Sequence, residues 1–416
     1  MPSGNYSSAP RVAIVGGGPA GAVVALTLAR RGLCPMVFEA ASDAQAKVGE
    51  CLPPAGAVVL DRLGLMAHLA AGPHLRTYGN RSLWGTEQAR ERDFVRGLHG
   101  TGWHLDRRGF EVMLACAAVE SGVAWHTASR VMAVRWDGRH WELAVVTGAA
   151  TRQVGVDFLV DATGRRASLA RRCGARRVCH DGLVGAAAYL EPQGRGATDT
   201  FTLVEAVPSG WWYSAVLANG HLAVAYLTDH DLPELRLARR VSGWWELLCQ
   251  ATATWSRVRQ HGYRLGQPPR VLPANSARLS AILGRQWLAV GDAAAAHDPL
   301  SAHGITAALG AGFYAAQAIL GLLDGQADAG LAYLSIMDRT YAHYFQDLHA
   351  CYADEQRWAG QPFWRRRHRG PATIQGPRGI AGTAALAHYE DARDGPAVAR
   401  ACAVAGSSGA RMSAIV

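Results

Sequence analysis

Lysine is almost absent from this chain: of the 42 lysine and arginine residues, only Lys47 is a lysine. We attribute the arginine bias to base composition rather than to function. The net charge of +9 still favours an acidic partner over a neutral one. No basic stretch is interleaved with aromatic residues in the way that follows a nucleic-acid backbone, so we expect no nucleic-acid partner.

Cysteine pairs with the spacing of a metal or redox motif are also lacking. The eight cysteines form no CxxC motif, and no Cys/His set has zinc spacing. We therefore expect reduced thiols, no metal site and a cytoplasmic protein, with no signal peptide in the first ten residues. One uncharged run, residues 304–323, is long enough to span a bilayer. Its many glycines and alanines favour a helix buried within the fold, so we expect no membrane span.

A glycine-rich turn follows the first apolar run of the sequence. Gly16, Gly18 and Gly21 fit the pattern GxGxxG between a predicted strand and a predicted helix. In this pattern the first glycine permits the tight turn, the second admits a pyrophosphate, and the third allows the helix to approach the strand. Glu39 ends the next strand, at the spacing of a carboxylate that binds a ribose. The motif predicts an adenosine diphosphate site and favours FAD or NAD(H) over NADP(H).

A second motif, GDAAAAHDPLSAHG, spans residues 291–304. Gly291 and Asp292 follow a short apolar strand, so the carboxylate can accept hydrogen bonds from a polyol such as ribityl. Pro299 lies in a turn, and Gly304 begins a long helix whose N-terminus would stabilise an anionic reduced flavin. FAD is long enough to reach both motifs, so FAD is the predicted cofactor.

Two shorter stretches between these motifs are further candidates for cofactor binding. Asp161 ends a predicted strand in the sequence LVDATG. Arg107 stands at the start of a predicted amphipathic helix, from which it could reach flavin or phosphate.

Together these motifs resemble the FAD-dependent monooxygenases of the aromatic-hydroxylase type. Five further stretches are VGECLPPAG, GNRSLWG, GWHLDRRGF, SGWWYSAV and EQRWAGQPFWRRR. They narrow the resemblance to a group that includes flavin-dependent tryptophan halogenases. The same group contains the flavoproteins that mature tryptophan-derived quinone cofactors of quinohemoprotein amine dehydrogenase, lysine epsilon-oxidase and glycine oxidase. The resemblance covers roughly residues 11–368.

The predicted fold class is α/β. We expect a Rossmann-like FAD-binding domain of the GR2 type, an inserted antiparallel β-sheet that forms a substrate domain, and a C-terminal helical region with a loose tail. Residues 176–268 read as a succession of strands of the kind that is typical of such a sheet. The predicted boundaries are 8–75, 100–175 and 270–320 for the discontinuous FAD domain, 76–99 and 176–268 for the substrate domain, and 321–416 for the helical region.

The resemblance leaves hydroxylation and halogenation to be distinguished. Halogenases of this group use a lysine after the GE motif, but no lysine follows Glu50 in this chain. Their WxWxIP stretch would fall at SGWWYSAV, where the pattern is broken. We therefore expect a monooxygenase that hydroxylates an aromatic ring through a flavin C4a-hydroperoxide. It would use O2 and either NADH or NADPH, supplied directly or through a separate reductase.

Candidate catalytic residues lie in the loops expected to flank the flavin ring: Glu50, His297 and His303. A histidine there could transfer protons, although a scaffold role is the common alternative. An aromatic substrate pocket could include tryptophans that are otherwise core residues, namely Trp84, Trp103, Trp211 and Trp212.

The leading substrate hypothesis is a tryptophan side chain in an acidic peptide or protein, such as the small subunit of a quinohemoprotein amine dehydrogenase. The alternative is a free or carrier-bound aromatic metabolite of natural-product biosynthesis. Halogenation, isoprenoid reduction and a flavin-binding chaperone without turnover are less favoured hypotheses.

Overall fold

The first described residues form a strand, a helix and a second strand, and later parts of the chain contain runs of consecutive strands. The computed structural model describes residues 10–369 except 45, 46, 98 and 195. Its strands, in chain order, are β1 (Val12–Val15), β2 (Met36–Phe38), β3 (Cys51–Leu52), β4 (Leu75–Thr77), β5 (Gly79–Leu83), β6 (Arg90–Asp93), β7 (Gly102–His104), β8 (Ala124–His126), β9 (Ser129–Trp136), β10 (Trp141–Thr147), β11 (Ala150–Val156), β12 (Phe158–Asp161), β13 (Arg177–Cys179), β14 (Leu183–Glu191), β15 (Thr202–Val207), β16 (Gly210–Val216), β17 (Leu222–Asp229), β18 (Arg264–Leu265), β19 (Arg270–Pro273), β20 (Ala277–Leu279), β21 (Leu283–Gly284), β22 (Trp287–Ala289) and β23 (Ala295–Ala296).

Helices flank these strands on both sides. They are α1 (Pro19–Ala29), α2 (Pro54–Arg62), α3 (Met66–Ala71), α4 (Arg107–Glu120), α5 (Ser168–Arg172), α6 (Pro233–Ala238), α7 (Val241–Cys249), α8 (Thr252–Gln260), α9 (Gly304–Leu323), α10 (Ala327–Ala353) and α11 (Pro362–His368). Three short 3-10 turns, Gly164–Arg166, Gly291–Ala293 and Pro299–Ser301, lie in the loops that follow strands β12, β22 and β23.

The first sheet has the strand order β21-β22-β12-β1-β2-β8 and is parallel apart from its edge strand β21. All four residues of β1 are buried, as expected of a parallel strand covered on both faces. Helix α1 packs against this sheet and against α9. Gly312 of α9 permits the contact, since a Cβ there would lie 2.7 Å from the carbonyl oxygen of Ala20. The α/β fold predicted from the sequence is confirmed.

The second sheet has the order β18-β14-β17-β16-β15-β5-β6, with β19 also paired to β14. Its strands are antiparallel except for the parallel pair β15 and β5. Helices α6, α7 and α8 cover one face, which we call the outer face. The other face packs against the GD loop (residues 291–304) and helices α10 and α11, and we call it the inner face.

The predicted domain boundaries remain a prediction. Strands β5 and β6, from the segment 76–99, are edge strands of the second sheet. Helices α10 and α11 form the described part of the C-terminal region, and the predicted loose tail lies outside the described residues. Within the described residues, α9 is long and apolar enough to cross a membrane, and it packs here against α1 and α10.

Candidate flavin-binding and substrate site

The glycine turn has the backbone geometry that a bound pyrophosphate requires. Gly16 has φ +109°, and a Cβ there would lie 2.2 Å from the carbonyl oxygen of Ala162. A Cβ at Gly21 would lie 2.1 Å from the carbonyl oxygen of Gly16. A Cβ at Gly18 would meet no atom within 4 Å, so this side of the turn is open. The unpaired N–H groups at the start of α1 face the same end of the turn, which fits a phosphate-binding role.

Glu39 lies beside this turn at the end of β2. Its carboxylate accepts hydrogen bonds from the backbone N–H groups of Gly17 at 2.7 Å and Ala41 at 2.8 Å. Each oxygen therefore has one backbone donor and a free lone pair, which a ribose hydroxyl could use. The predicted FAD site, which we call the cleft, runs from this glycine turn to the GD loop. The residues at the glycine-turn end of the cleft fit the adenosine part of FAD.

The GD loop brings a second set of residues to the carboxyl end of the same sheet. Gly291 has φ +59°, and a Cβ there would lie 2.7 Å from the Cβ of Ala20 in α1. The side chain of Asp292 is 36% exposed and lies 3.5 Å from the Nε atom of Arg165. Desolvation by the surrounding protein raises the pKa of Asp292, while the positive charges of Arg165 and Arg177 oppose that rise. The carboxylate can therefore still accept hydrogen bonds from a polyol.

Helix α9 begins at the far end of the GD loop. Pro299 is an exposed residue of the preceding turn, and Gly304 is the first helical residue, where a Cβ would meet no atom within 4 Å. The first N–H groups of a helix have no partner within it. A Cβ at Gly56, at the start of α2, would lie 2.9 Å from Oγ1 of Thr306, a buried hydroxyl with no partner among the described residues. The N-termini of α2 and α9 thus lie in contact, and the first N–H groups of α9 fit the predicted position of the flavin ring.

Asp161 has a structural role instead of the predicted role in cofactor binding. Its buried carboxylate accepts hydrogen bonds from the N–H and hydroxyl groups of Thr163 and from the N–H groups of Leu169 and Ala170. Four internal donors occupy the two oxygens. Asp161 therefore fixes the loop that supports Gly16 and leaves no acceptor free for a ligand.

Arg107 also forms its hydrogen bonds with other protein groups. Its Nη1 donates to the carbonyl oxygens of Val48 at 2.6 Å and Gly49 at 3.0 Å, and its Nη2 donates to Glu111 at 2.8 Å. Its Nε atom is buried without a partner among the described residues. Arg107 thus holds the loop that precedes Glu50. Its predicted contact with FAD stays a prediction, for which the Nε–H and the second N–H of Nη2 would be the donors.

Glu50 is buried, with 3% of its surface exposed. The hydroxyl of Tyr189, on the inner face of the second sheet, donates to its Oε1 at 2.6 Å and lies 2.9 Å from the carbonyl oxygen of Lys47. Burial raises the pKa of Glu50, against the lowering effects of Tyr189 and Arg107. This carboxyl group therefore lies where the loop before α2 meets the second sheet, facing the cleft.

His297 and His303 lie together at the other side of the inner face. Their ring centroids are 6.1 Å apart, and each Nδ1 is buried without a partner among the described residues. Burial lowers the pKa of His297 to about 3 and that of His303 to about 4. Both imidazoles are neutral at physiological pH, so they can exchange hydrogen bonds with a neutral ligand.

Three of the tryptophans predicted to line an aromatic pocket divide between the two faces of the second sheet, and the contact of all four with substrate stays a prediction. Trp211 and Trp212 are neighbours on β16 and point to opposite faces of the sheet, since side chains alternate along a strand. The indole N–H of Trp84 donates to the carbonyl oxygen of Cys351, and that of Trp211 donates to the hydroxyl of Tyr352. Trp84, Trp211 and Trp212 are at most 1% exposed, and we assign them to the core. Trp103 is 3% exposed and packs in the core below the first sheet.

Several site residues were not predicted. Arg165 donates to the carbonyl oxygens of Asn275 at 2.6 Å and His297 at 2.8 Å, and so connects three loops. Asp298 is buried and accepts a hydrogen bond from the hydroxyl of Tyr352 at 2.8 Å, and burial raises its pKa to about 7. Both residues had a signal in the sequence: Arg165 follows the DATG motif, and Asp298 is the second aspartate of the GD loop. Tyr189 and Tyr213 carried no signal beyond strand alternation.

Comparison with known proteins agrees with this geometry. The family model described as tryptophan halogenase matches residues 86–378. A putative FAD-dependent oxidoreductase, LodB of Marinomonas mediterranea, is 30% identical over 359 residues, covering 85% of this chain and 96% of LodB. The tryptophan 2-halogenase of Chondromyces crocatus is 25% identical over 348 residues, covering 81% of this chain and 66% of the halogenase.

Two solved structures share the fold. The flavin-dependent halogenase CmlS superposes with a TM-score of 0.79 at 22% identity, covering 94% of this chain and 71% of CmlS. The peptidyl tryptophan dihydroxylase QhpG, essential for tryptophylquinone cofactor biogenesis, gives a TM-score of 0.67 at 26% identity, covering 88% and 80% of the two chains. The match to the family model and the similarity to LodB show that this chain belongs to the tryptophan halogenase family of FAD-dependent flavoproteins.

Proposed function

We propose that this chain is an FAD-dependent monooxygenase that hydroxylates an aromatic ring, and that the natural ring is a tryptophan side chain in a peptide or protein. The main support is the position of its one amine-bearing side chain. Lys47 precedes Glu50 and its Nζ is 2.6 Å from Glu111 in an ion pair. The candidate catalytic groups are a buried carboxyl, phenols, and imidazoles whose pKa values are lowered by burial. This set suits proton transfer but offers no amine to handle hypohalous acid.

The overall reaction converts a ring C–H, O2, NAD(P)H and a proton into a ring C–OH, water and NAD(P)+. FAD, when bound and reduced, supplies the electrons and activates the oxygen. The residues of this chain orient the ring and exclude water from the site. Neutral His297 and His303 can accept the proton that leaves the hydroxylated carbon, and Glu50 can exchange a proton through Tyr189.

The peptide substrate rests on two observations. QhpG, which shares the fold, acts on tryptophan within a peptide. The net charge of +9 suits an acidic polypeptide. A carrier-bound aromatic substrate is the second candidate, since the 1H-pyrrole-2-carbonyl-[peptidyl-carrier protein] brominase of Pseudoalteromonas luteoviolacea is 24% identical over an alignment of 346 residues that covers 76% of this chain.

Mass spectrometry of the product tests the proposal. The purified protein is incubated with FAD, NADH or NADPH, a flavin reductase, chloride and tryptophan-containing acidic peptides in air. We expect a gain of one or two oxygen atoms on tryptophan, labelled from 18O2 and not from labelled water. Replacement of a ring hydrogen by chlorine would overturn the proposal in favour of halogenation. Oxygen gain only on a free or carrier-bound aromatic would overturn the peptide assignment.

A further inference from the structure

The middle of the inner face is lined by small side chains. Strands β14, β17 and β16 lie side by side, and their register places two rows of residues on this face. The first row is Ala187, Ala225 and Tyr213, and the second row is Tyr189, Ala223 and Ala215. Four alanines thus form a flat floor, with a tyrosine at each of two opposite corners.

A partly exposed point lies on this floor, at Ala225. Ala225 is in a central strand with a paired strand on each side, yet it is partly exposed, whereas Ala223 and Leu227 on the same strand are buried. Ala295 and Ala302 of the GD loop belong to the same apolar cluster as the inner face. Short side chains on both sides are what a flat ring lying between the sheet and the GD loop would require.

Tyr213 supplies an unused polar group at the edge of this floor. Its side chain is 9% exposed, and its hydroxyl is buried with no hydrogen-bond partner among the described residues. Glu50 is close enough to affect the ionisation of Tyr213, and the hydroxyl of Tyr189 donates to Glu50. Buried hydroxyls are almost always paired in folded proteins, so an unpaired one next to the partly exposed Ala225 points to a ligand.

The hydrogen-bonding chemistry of Tyr213 and Glu50 defines that ligand. A carboxylate only accepts hydrogen bonds, whereas a phenol both donates and accepts. A hydroxyl group on a substrate ring can accept from Tyr213 and donate to Glu50 at the same time. A ring N–H can only donate, and it would leave the hydrogen of the Tyr213 hydroxyl without an acceptor.

We propose that Tyr213 is a substrate-binding residue whose hydroxyl donates to a hydroxyl group on the aromatic ring that lies on the alanine floor. This inference rests on the proposed function, which supplies an aromatic substrate and, after one oxygen insertion, a hydroxylated ring. Tyr213 would hold that ring for a second insertion in the same site.

Binding of matched probes to the FAD-loaded protein tests this role without turnover. Indole is compared with 5-, 6- and 7-hydroxyindole by titration of the flavin absorbance. We expect at least one hydroxyindole to bind about tenfold more tightly than indole, as one neutral hydrogen bond in a buried site can provide. Tyr213→Phe should reduce that preference to about twofold or less. An unchanged preference in the variant, or no preference in the wild type, overturns the proposal.

Tyr226→Phe is the matched control. Tyr226 is on the outer face of the adjacent strand, and its hydroxyl bonds with Ser209 at 2.6 Å. We expect this variant to keep the hydroxyindole preference and to melt at a lower temperature. Tyr213→Phe should melt at or above the wild-type temperature, because its hydroxyl has no partner to lose. A lower melting temperature for Tyr213→Phe with an unchanged preference would show a structural role. Tight hydroxyindole binding with no oxygen gain in any peptide would leave this inference intact and overturn the proposed function.

Discussion

At the scale of single residues, Gly16 and Gly18 of the glycine turn have different roles. Gly16 has a backbone conformation that other residues rarely adopt, and a carbonyl oxygen occupies the space of its Cβ. Gly18 has ordinary backbone angles and open space beside it. The first glycine therefore serves the fold, and the second leaves space for the predicted pyrophosphate.

The variant Gly18→Ala should fold normally but bind FAD poorly. We expect the apoprotein to melt within about 1 °C of the wild type, while the added methyl group blocks the pyrophosphate and raises the Kd for FAD at least about tenfold. Isothermal titration and thermal melting measure the two effects. The control Gly16→Ala should lower the melting temperature of the apoprotein by several degrees. Normal FAD affinity in Gly18→Ala would contradict the assigned phosphate site.

Asp298 gives a pH-dependent prediction. Its pKa is raised to about 7, so the folded state holds this proton at pH values where the unfolded chain has lost it. The contribution of Asp298 to stability therefore falls as pH rises from about 4 to 7. Asp298→Asn should gain stability relative to the wild type by roughly 2 kcal/mol between pH 5 and pH 7, and no more above that. Urea unfolding at each pH measures this difference, and a constant difference would refute the assignment.

At the scale of secondary-structure elements, the buried guanidinium of Arg367 attaches helix α11 to the second sheet. The guanidinium of Arg367 lies 2.8 Å from Asp229 of β17 and covers the ring of Phe363. The indole N–H of Trp364 donates to the carbonyl oxygen of Val207 at 2.9 Å. The helix thus closes the inner face of the second sheet at its end.

Arg367→Ala should destabilise the protein by about 3 kcal/mol, because it leaves Asp229 with less compensation in a buried position. The neighbouring variant Arg365→Ala is the control, since Arg365 is exposed and should change stability by less than about 0.5 kcal/mol. Equal effects in chemical denaturation would show that the ion pair does not hold the helix.

Sequence patterns predicted where a strand lies better than they predicted which face of the sheet each of its side chains occupies. The run SGWWYSAV indicated a strand, but alternation alone could not say whether Trp211 or Trp212 faces the cleft. That choice depends on which face helices α6 to α8 cover. Trp211 and Tyr213 share the inner face, and Trp212 lies under Trp244 of α7.

At the scale of the whole molecule, one cleft connects parts of the chain that are far apart in sequence. The glycine motifs were predictable because each is local and each serves a fixed geometry. The bond from Tyr189 to Glu50 joins residues 139 positions apart, and that from Arg165 to His297 joins residues 132 apart. No local pattern encodes such pairs, since they depend on how two sheets meet.

Binding of FAD should therefore protect both ends of the cleft together. At an FAD concentration of 100 times Kd, we expect about 2.7 kcal/mol of added stability. Hydrogen–deuterium exchange should slow in residues 16–21 and in residues 291–306 to a similar extent. Adenosine diphosphate is the control ligand and should protect the first segment alone. Protection by FAD confined to residues 16–21 would show that the flavin ring lies elsewhere.

The ion pair of Lys47 with Glu111, a carboxylate that Arg107 also contacts, has a practical consequence as well. Because this ammonium is the single side-chain amine in the sequence and is 46% exposed, an acylating fluorophore would label the protein side chains at one position. That position is three residues from Glu50, on the loop that borders the cleft. Emission from such a dye would therefore be expected to respond, molecule by molecule, when FAD enters and when the proposed peptide substrate binds.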